Sequence, residues 1–230
     1  MEKIGHCQLC GGCQRAVRLY HAGTKLDLWN DKCYVSLVGF MFQNTRLLGI
    51  KIPFHVYFEE VNLRFYVKRF DNGIWKRGVV FIKEIVPKRA LTFVANTVYN
   101  ENYETLPMSH VWQEAETGNT IKYSWTKQGF ENSILVKSRS NSLEIEPDSE
   151  TEFITEHYWG YAKVNNQKTN EYEVTHPKWK VYDVMDYAIH VDFGLVYGKQ
   201  FQFLNHLNPI SVMLAEGSEI SVKGKRILEV

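Results

Sequence analysis

The sequence predicts an α+β domain that is mainly β, with a strongly curved or barrel-like antiparallel sheet and two or three short helices. Beyond residue 25, most apolar segments are aromatic and β-branched and have period two, which is typical of strands. Asp71-Asn72-Gly73 separates two of the longest segments and indicates a tight hairpin. Helical periodicity is confined to a few short stretches. Together these observations favour a fold dominated by one sheet.

Three long strands are predicted first, at Cys33–Gln43, Val56–Arg69 and Trp75–Val86. The hairpin turn joins the second to the third, so these two strands are expected to pair directly. Further strands are predicted at Thr120–Thr126, Ser133–Ser138, Tyr158–Val164, Asn170–His176, Trp179–Tyr182, Ile210–Leu214 and Glu219–Val222.

Helices are predicted at three places. After Pro87, the residues Leu91, Val94, Ala95 and Val98 fall on one face of a helix, with proline at its start. Pro147-Asp148 followed by SETEFITEHY indicates a capped short helix with carboxylates in its first turn. Phe193–Leu207 is expected to hold one or two further helical turns.

The composition indicates one folded domain. The chain has 230 residues, and 44% of them are hydrophobic, which excludes a disordered chain and is enough for a full core. No Gly/Ser-rich or Pro-rich linker divides it. The polar stretch Lys137–Glu150 is expected to be a loop rather than a domain boundary.

Charge and motifs limit the partners. A formal net charge of +1 supports neither nucleic acid nor an anionic membrane surface as a partner. No apolar run approaches the roughly 20 residues that a membrane span needs, and no signal peptide is visible. The clustered cysteines are not a disulfide framework, which favours a reducing cytoplasm. No GxSxG elbow, dinucleotide-binding glycine motif or P-loop is present, so no cofactor is predicted. A small-molecule ligand is the expected partner, and a homo-oligomer is left open.

The stretch HCQLCGGC at residues 6–13 raises the question of a metal site. Cys7, Cys10 and Cys13 repeat every third residue, a spacing that lets two thiolates chelate one ion. A tetrahedral site would need His6 or Cys33 as the fourth ligand, and an iron–sulfur cluster would need a cysteine where Val17 stands. The signal is incomplete, so the sequence predicts no metal site.

Several runs resemble a known family. GTKLDLWNDKCYVSLVGFMFQNTRLLGIKIPFH is followed in order by FEEVNLRFYV, GVVFIKEIVP, TEHYWGY and LAEGS. They look like the YqjF-like family of uncharacterised bacterial proteins, which is similar in fold to acetoacetate decarboxylase. The resemblance implies a curled sheet around an internal cavity, flanked by a few helices, over residues 23–230. It implies no established activity.

The first 22 residues depart from the family pattern. Members usually open with a tryptophan-containing strand and a helix, and residues 1–22 show no comparable periodicity. We therefore predict a divergent Cys-rich segment at residues 1–22, with residues 1–20 contributing little to the fold.

The same resemblance suggests a reactive lysine. Acetoacetate decarboxylase forms a Schiff base through a lysine that follows an aromatic-proline pair and precedes a second lysine. Pro87, Lys88 and Arg89 are similar, although Val86 replaces the aromatic residue. Lys88 is then the candidate nucleophile and Arg89 the neighbouring cation. An exposed pair at a helix start remains the alternative.

Strand alternation points to a ligand-binding set. Glu60, Asn62 and Arg64 share one face of their strand, and Val61, Leu63, Phe65 and Val67 share the other. If the apolar face packs under helices, the polar face lies toward either solvent or a cavity. We predict that the three polar residues line the cavity and that Arg64 anchors an anionic group.

Glu84 and His157 are two further candidates for catalysis. Lys83 and Glu84 lie in an otherwise apolar run, so one of them is expected to face the interior, with Arg64 as a partner for Glu84. His157 lies beside aromatic residues and is a candidate general base. A buried structural histidine is the alternative.

Three functions remain open. The first is a lyase- or decarboxylase-like enzyme that acts on a small keto acid or related carbonyl compound. The second is a non-catalytic barrel that binds a small ligand. The third is a structural or assembly protein whose pocket is a filled core.

Overall fold

The computed structural model describes the backbone of residues 2–10 and residues 21–46 and 55–229 in full. In this part of the chain, fifteen strands form one curled, mostly antiparallel sheet, which confirms the predicted fold class. The strands are β1 Glu2–Cys10, β2 Lys25–Leu26, β3 Tyr34–Phe42, β4 Phe58–Asp71, β5 Ile74–Val86, β6 Tyr103–Thr105, β7 Met108–Ala115, β8 Gly118–Lys127, β9 Phe130–Glu144, β10 Trp159–Lys163, β11 Lys168–Thr175, β12 Lys180–His190, β13 Ser211–Gly217, β14 Ser221–Val222 and β15 Arg226–Glu229.

The order of the strands places β14, from near the C-terminus, at one end of the sheet and β7, from the middle of the chain, at the other. Neighbours run β14-β11-β10-β5-β4-β3-β1-β13-β12-β9-β8-β7, while β15, β2 and β6 pair with β11, β4 and β5. Strand β10 joins β5 in parallel, through Trp159–Gly78 and Gly160–Val79. This junction brings the second half of the chain beside the β4–β5 hairpin.

The helices are short. They are α1 Arg89–Val94, a π-helical turn Ala95–Tyr99, α2 Glu150–Thr155, α3 Phe193–Tyr197 and a 3₁₀ helix Lys199–His206. Among the residues that the structure describes, no helix is long and apolar enough to cross a membrane.

The predicted hairpin is present between β4 and β5. Asp71 pairs with Ile74, and both turn residues have positive φ, 49° at Asn72 and 83° at Gly73. This is the backbone that a two-residue turn of mirror-image type requires, and asparagine and glycine adopt it readily.

The apolar face of β4 packs in the core, as the alternation predicted. Val61, Leu63, Phe65 and Val67 belong to the main hydrophobic cluster, together with residues of α3. The opposite face of the same strand is therefore free to line a cavity.

Capping explains where α2 begins. The Ser149 side chain accepts a hydrogen bond from the backbone N–H of Glu152, and the Glu152 carboxylate accepts one from the N–H of Asp148. This reciprocal arrangement satisfies donors that the helix itself leaves unpaired.

The helix after Pro87 differs from its prediction. No residue of α1 or the following π-helical turn is buried, and Val98 is 50% exposed. The π-helical turn widens the spiral, so residues four apart no longer fall on one packed face. Asn100 ends it in the left-handed conformation, with φ 55°.

Two other predictions are wrong. The predicted loop at Lys137–Glu150 is in part strand, because β9 continues to Glu144 and pairs with β12 there. The expectation that residues 1–20 contribute little is wrong for Glu2–Cys10, which pair with both β3 and β13. Residues 11–20, including Cys13, lie outside the described residues.

Candidate functional site

A cavity of about 160 Å³ lies against the polar face of β4. Strands β3, β4, β5, β10 and β11 supply most of its wall, and the segment around His157 and the β14 region complete it. Its lining comprises Val38, Phe40, Phe42, Glu60, Asn62, Arg64, Val79, Phe81, Glu84, Tyr103, Thr155, His157, Trp159, Gly160, Tyr172, Val174, His176, Trp179, Ile220 and Val222.

The structure places Glu60, Asn62 and Arg64 on this lining, at the position that strand alternation predicted. Asn62 is 1% exposed, and its side-chain amide donates to Glu60 Oε1 at 3.1 Å. Tyr103 donates its hydroxyl to Glu60 Oε2 at 3.2 Å. The Asn62 carbonyl oxygen and the Arg64 Nε have no hydrogen-bond partner.

A bulge in β5 decides which charged residue faces the cavity. Arg64 pairs with Phe81, Leu63 pairs with Lys83, and Asn62 pairs with Glu84, so Ile82 is an extra residue. Phe81 and Lys83 would lie on the same face of a regular strand, but the bulge re-aims the chain and brings Glu84 to the cavity. Lys83 lies on the other side, where it donates to Glu104 and to the Val196 carbonyl, both at 2.7 Å.

The expected ion pair between Arg64 and Glu84 is not formed. Glu84 lies opposite Asn62, whereas Arg64 lies opposite Phe81, and in the described part of the chain the two form no salt bridge, although the charge of Arg64 still acts on Glu84. Glu84 Oε2 has no partner. Burial, followed by repulsion from Glu101 and Glu60, raises the pKa of Glu84 well above its usual value.

Two neighbouring carboxyl groups behave similarly. Burial raises the pKa of Glu60 to about 7, against hydrogen bonds from Asn62 and Tyr103. Burial also raises the pKa of Glu101 to about 7, although Tyr172 donates a hydrogen bond to it at 2.8 Å. At pH 7 the Glu84 carboxyl group is therefore protonated, whereas Glu60 and the neighbouring Glu101 are each about half protonated.

Tyr172 reaches Glu101 because Gly160 leaves room for its ring. A Cβ atom at Gly160 would collide with the Tyr172 ring, which lies directly across the β10–β11 pair. A glycine at this position permits the close approach.

Asp27 is a buried carboxylate that the sequence did not single out. It lies after β2, is 4% exposed, and accepts hydrogen bonds from Lys68 at 2.7 Å and from Arg77 at 2.7 Å. His157 Nε2 lies 3.2 Å from its second oxygen. Burial alone would raise the pKa of Asp27, but the bonds from His157, Lys68 and Arg77 hold it well below its usual range.

His157 connects this carboxylate to the cavity. Burial lowers its pKa to about 4, against the opposing effect of Asp27, so the imidazole is neutral at pH 7. Because Asp27 is ionised, Nε2 carries the ring proton and donates it. Nδ1 then presents a lone pair, and it has no partner. Tyr66 and Phe153 hold the ring from two sides, with ring centroids 4.7 and 5.1 Å away.

Lys88 and Arg89 do not line the cavity. Lys88 is the half-buried residue before α1, and Arg89 is the exposed first residue of that helix. The lining that the structure describes contains no lysine.

Metal binding finds no support in the described part of the chain. Residues 21–46 and 55–229 contain no group of three metal-ligating side chains, and Cys33 is buried. Cys13 lies outside the described residues, and only the backbone of His6, Cys7 and Cys10 is described.

A comparison with known protein families gives a match over most of the chain. A family model described as "Uncharacterized conserved protein (COG2071)", DUF2071, matches residues 15–219. The chain belongs to the DUF2071 family. The YqjF-like resemblance of the sequence is thereby confirmed. No curated protein matches this DUF2071 chain.

Solved structures resemble this DUF2071 protein in fold. The enduracididine biosynthesis enzyme MppR complexed with pyruvate has a TM-score of 0.65 at 11% identity, covering 98% of this chain and 87% of that one. An acetoacetate decarboxylase-like enzyme from Sphingomonas wittichii RW1 gives 0.65 at 9% identity, over 99% and 91%. Acetoacetate decarboxylase from Legionella pneumophila gives 0.64 at 7% identity, over 99% and 84%. At these identities the likeness establishes the fold.

Proposed function

We propose that this DUF2071 protein binds a small organic carboxylate in the β4 cavity and is a lyase-like enzyme. One observation carries the proposal. Four lining residues each have a buried polar atom without a partner in the described part of the protein, namely Asn62 Oδ1, Arg64 Nε, Glu84 Oε2 and His157 Nδ1. Leaving a buried polar group unpaired costs about 1–3 kcal/mol, so four in one cavity point to a ligand that pairs with them.

Arg64 selects the charge of that ligand. It cannot lose its proton, and burial raises the pKa of the Glu60 and Glu84 carboxyl groups on the same lining, which reduces the negative charge that they offer it near neutral pH. A bound carboxylate would supply the anion that Arg64 lacks. Aromatic side chains supply an apolar wall for the rest of a small molecule, chiefly Phe40, Phe81, Trp159 and Trp179.

The solved relatives support this ligand class. MppR, which resembles this chain in fold, has been solved with pyruvate, and an acetoacetate decarboxylase resembles this chain in fold as well. An imine mechanism through Lys88 has less support, because that residue does not line the cavity. The prediction of a cytoplasmic location remains a prediction. A non-catalytic binding barrel remains the second candidate, since unpaired polar atoms are equally suited to orienting a ligand.

Binding to Arg64 variants tests the proposal. In calorimetric titrations with pyruvate, acetoacetate, lactate and 2-oxobutanoate, at least one should bind the wild type. Arg64→Leu should weaken that binding by on the order of 100-fold, because truncating one member of a buried charge pair costs about 2–5 kcal/mol.

A matched control is Arg139→Leu, which removes an exposed arginine on β9 that is paired with Asp183 on β12, and it should leave affinity unchanged. Pyruvamide, which keeps the shape of pyruvate without its charge, should bind poorly. Failure of all four acids to bind, or equal affinities in wild type and Arg64→Leu, would overturn the proposal.

A further inference from the structure

The two ring nitrogens of His157 have different environments, and this asymmetry suggests a reaction. We propose that His157 removes a proton from the carbon next to the carbonyl of a 2-oxo acid, while the Glu84 carboxyl group hydrogen-bonds the carbonyl oxygen. This inference rests on the proposed function, because it requires the substrate carboxylate to be held at Arg64. The product is the enol of the same acid.

The position of His157 suits a general base. Its Nε2 is fixed 3.2 Å from Asp27, and Asp27 is itself held by Lys68 and Arg77. The ring has therefore one preferred orientation, which leaves the lone pair of Nδ1 without a protein partner in a residue that lines the cavity. Asp27 does not line the cavity, so it acts on the reaction only through His157 and is a positioning residue.

The functional groups of a 2-oxo acid match the unpaired atoms. Its carboxylate complements Arg64, and its carbonyl oxygen needs a donor, which a protonated Glu84 provides through Oε2. The acidic C–H bond adjacent to the carbonyl then needs a base, which only His157 Nδ1 offers among these four atoms.

The proposed proton transfer needs no cofactor, because the protein and the substrate supply all of its protons and electrons. The proton on C3 moves to His157 Nδ1, and the electrons of the broken C–H bond form the C2–C3 double bond. The carbonyl π electrons move to the oxygen, which takes the proton of Glu84. The resulting imidazolium is stabilised by the Asp27 carboxylate, and the reverse step returns a proton to C3.

Substrate binding itself would strengthen the base. The charges of Arg77 and Arg64 help to keep the unliganded His157 neutral. A carboxylate bound at Arg64 offsets one of these charges, which favours protonation of His157 once the substrate is in place. His157 is thus unprotonated when the cavity is empty, and it becomes a stronger base when a carboxylate occupies the cavity.

Exchange of the C3 protons with solvent tests this reaction directly. The wild-type protein would be incubated with pyruvate or 2-oxobutanoate in D₂O, and loss of the C3 proton signal would be followed by NMR against buffer alone. Binding would be measured in parallel by calorimetry. His157→Gln keeps an amide donor toward Asp27 but removes the lone pair of Nδ1, and His110→Gln is the same change at an exposed histidine on β7.

We expect wild type and His110→Gln to accelerate exchange equally. His157→Gln should slow it by at least about 100-fold, the lower range for losing a general base, while the acid still binds measurably through Arg64. Borohydride should trap no pyruvate adduct. Binding without accelerated exchange, full exchange in His157→Gln, or a trapped adduct would overturn the inference and leave the binding proposal intact. Absence of any carboxylate binding would overturn both.

The role of Asp27 has its own spectroscopic readout. In protein labelled with ¹⁵N-histidine, the His157 signals should report a protonated Nε2 and a bare Nδ1. Asp27→Asn should mix the two tautomers and slow exchange together, whereas a purely structural Asp27 would leave the tautomer ratio unchanged. An unchanged ratio with slowed exchange would contradict a positioning role.

Discussion

Glu60 shows how one buried side chain makes the whole protein sensitive to pH. Its pKa rises from 4.5 to about 7 on folding, so between these values the folded state binds more protons than the unfolded state. Stability from this group is therefore greatest below pH 4.5 and falls as the pH rises toward 7. The groups that face it are Asn62, Tyr103, Glu101, Glu84 and Arg64.

The effect of Glu60→Gln on the free energy of unfolding should therefore depend on pH. Relative to wild type, the variant should be more stable at pH 8, where the wild type must bury a charge, and not at pH 5. Urea denaturation at pH 5, 6, 7 and 8 measures the difference, which should grow with pH. A difference that is constant across this range would show that Glu60 titrates normally in the folded protein.

Individual residues of the site also differ in how far the sequence predicts their positions. Alternation along one strand was enough to place Glu60, Asn62 and Arg64 on one face, because that pattern is local. Asp27 carries no local signal, because its partners Lys68, Arg77 and His157 lie 41, 50 and 130 residues away. Only the folded sheet brings these charges together.

At the scale of elements, the bulge in β5 determines the chemistry of the cavity. The sequence left open whether Lys83 or Glu84 faces inward, because a bulge appears only when the strand is paired with its neighbour. The pairing also explains the length of β9, since a polar strand is stable where β12 completes its hydrogen bonds.

Matched substitutions test which of the two charged residues, Lys83 or Glu84, the bulge turns toward the cavity. Lys83→Met should destabilise the protein by about 1–3 kcal/mol, because it removes the donor to the Val196 carbonyl and leaves Glu104 with Lys127 as its remaining donor. Glu84→Met should be close to neutral for stability, since Glu84 Oε2 has no partner, but it should alter ligand binding. Denaturation and calorimetry measure the two effects. The reverse order of stability losses would place Lys83 in the cavity.

At the scale of the whole molecule, β1 joins the two halves of the sheet. It pairs with β3 on one side and with β13 on the other, and so links the cavity-bearing strands to β12, β9, β8 and β7. The period-two signal in residues 2–10 is weak because cysteine, glycine and glutamine interrupt it. A strand with partners on both sides can form without a strong pattern of its own.

Deleting residues 1–10 should therefore destabilise the protein severely. It would expose the unpaired edges of β3 and β13, which promotes aggregation as well as unfolding. We expect insoluble protein or a loss of many degrees in melting temperature. Gly5→Pro, which removes one backbone donor from β1 opposite Gly39 and Leu214, should give a smaller loss in the same direction. A deletion variant that melts like the wild type would show that β1 is dispensable.

We expect the β4 cavity to hold a carboxylate at Arg64. A crystal structure of the protein grown with pyruvate or the tightest-binding acid of the panel would show where the carboxylate lies. Ligand density should lie in the cavity, with the carboxylate within about 3 Å of the Arg64 guanidinium, a normal hydrogen-bond distance, and the carbonyl oxygen near Glu84. Density at another site, or a ligand in the cavity whose carboxylate lies away from Arg64, would contradict this expectation.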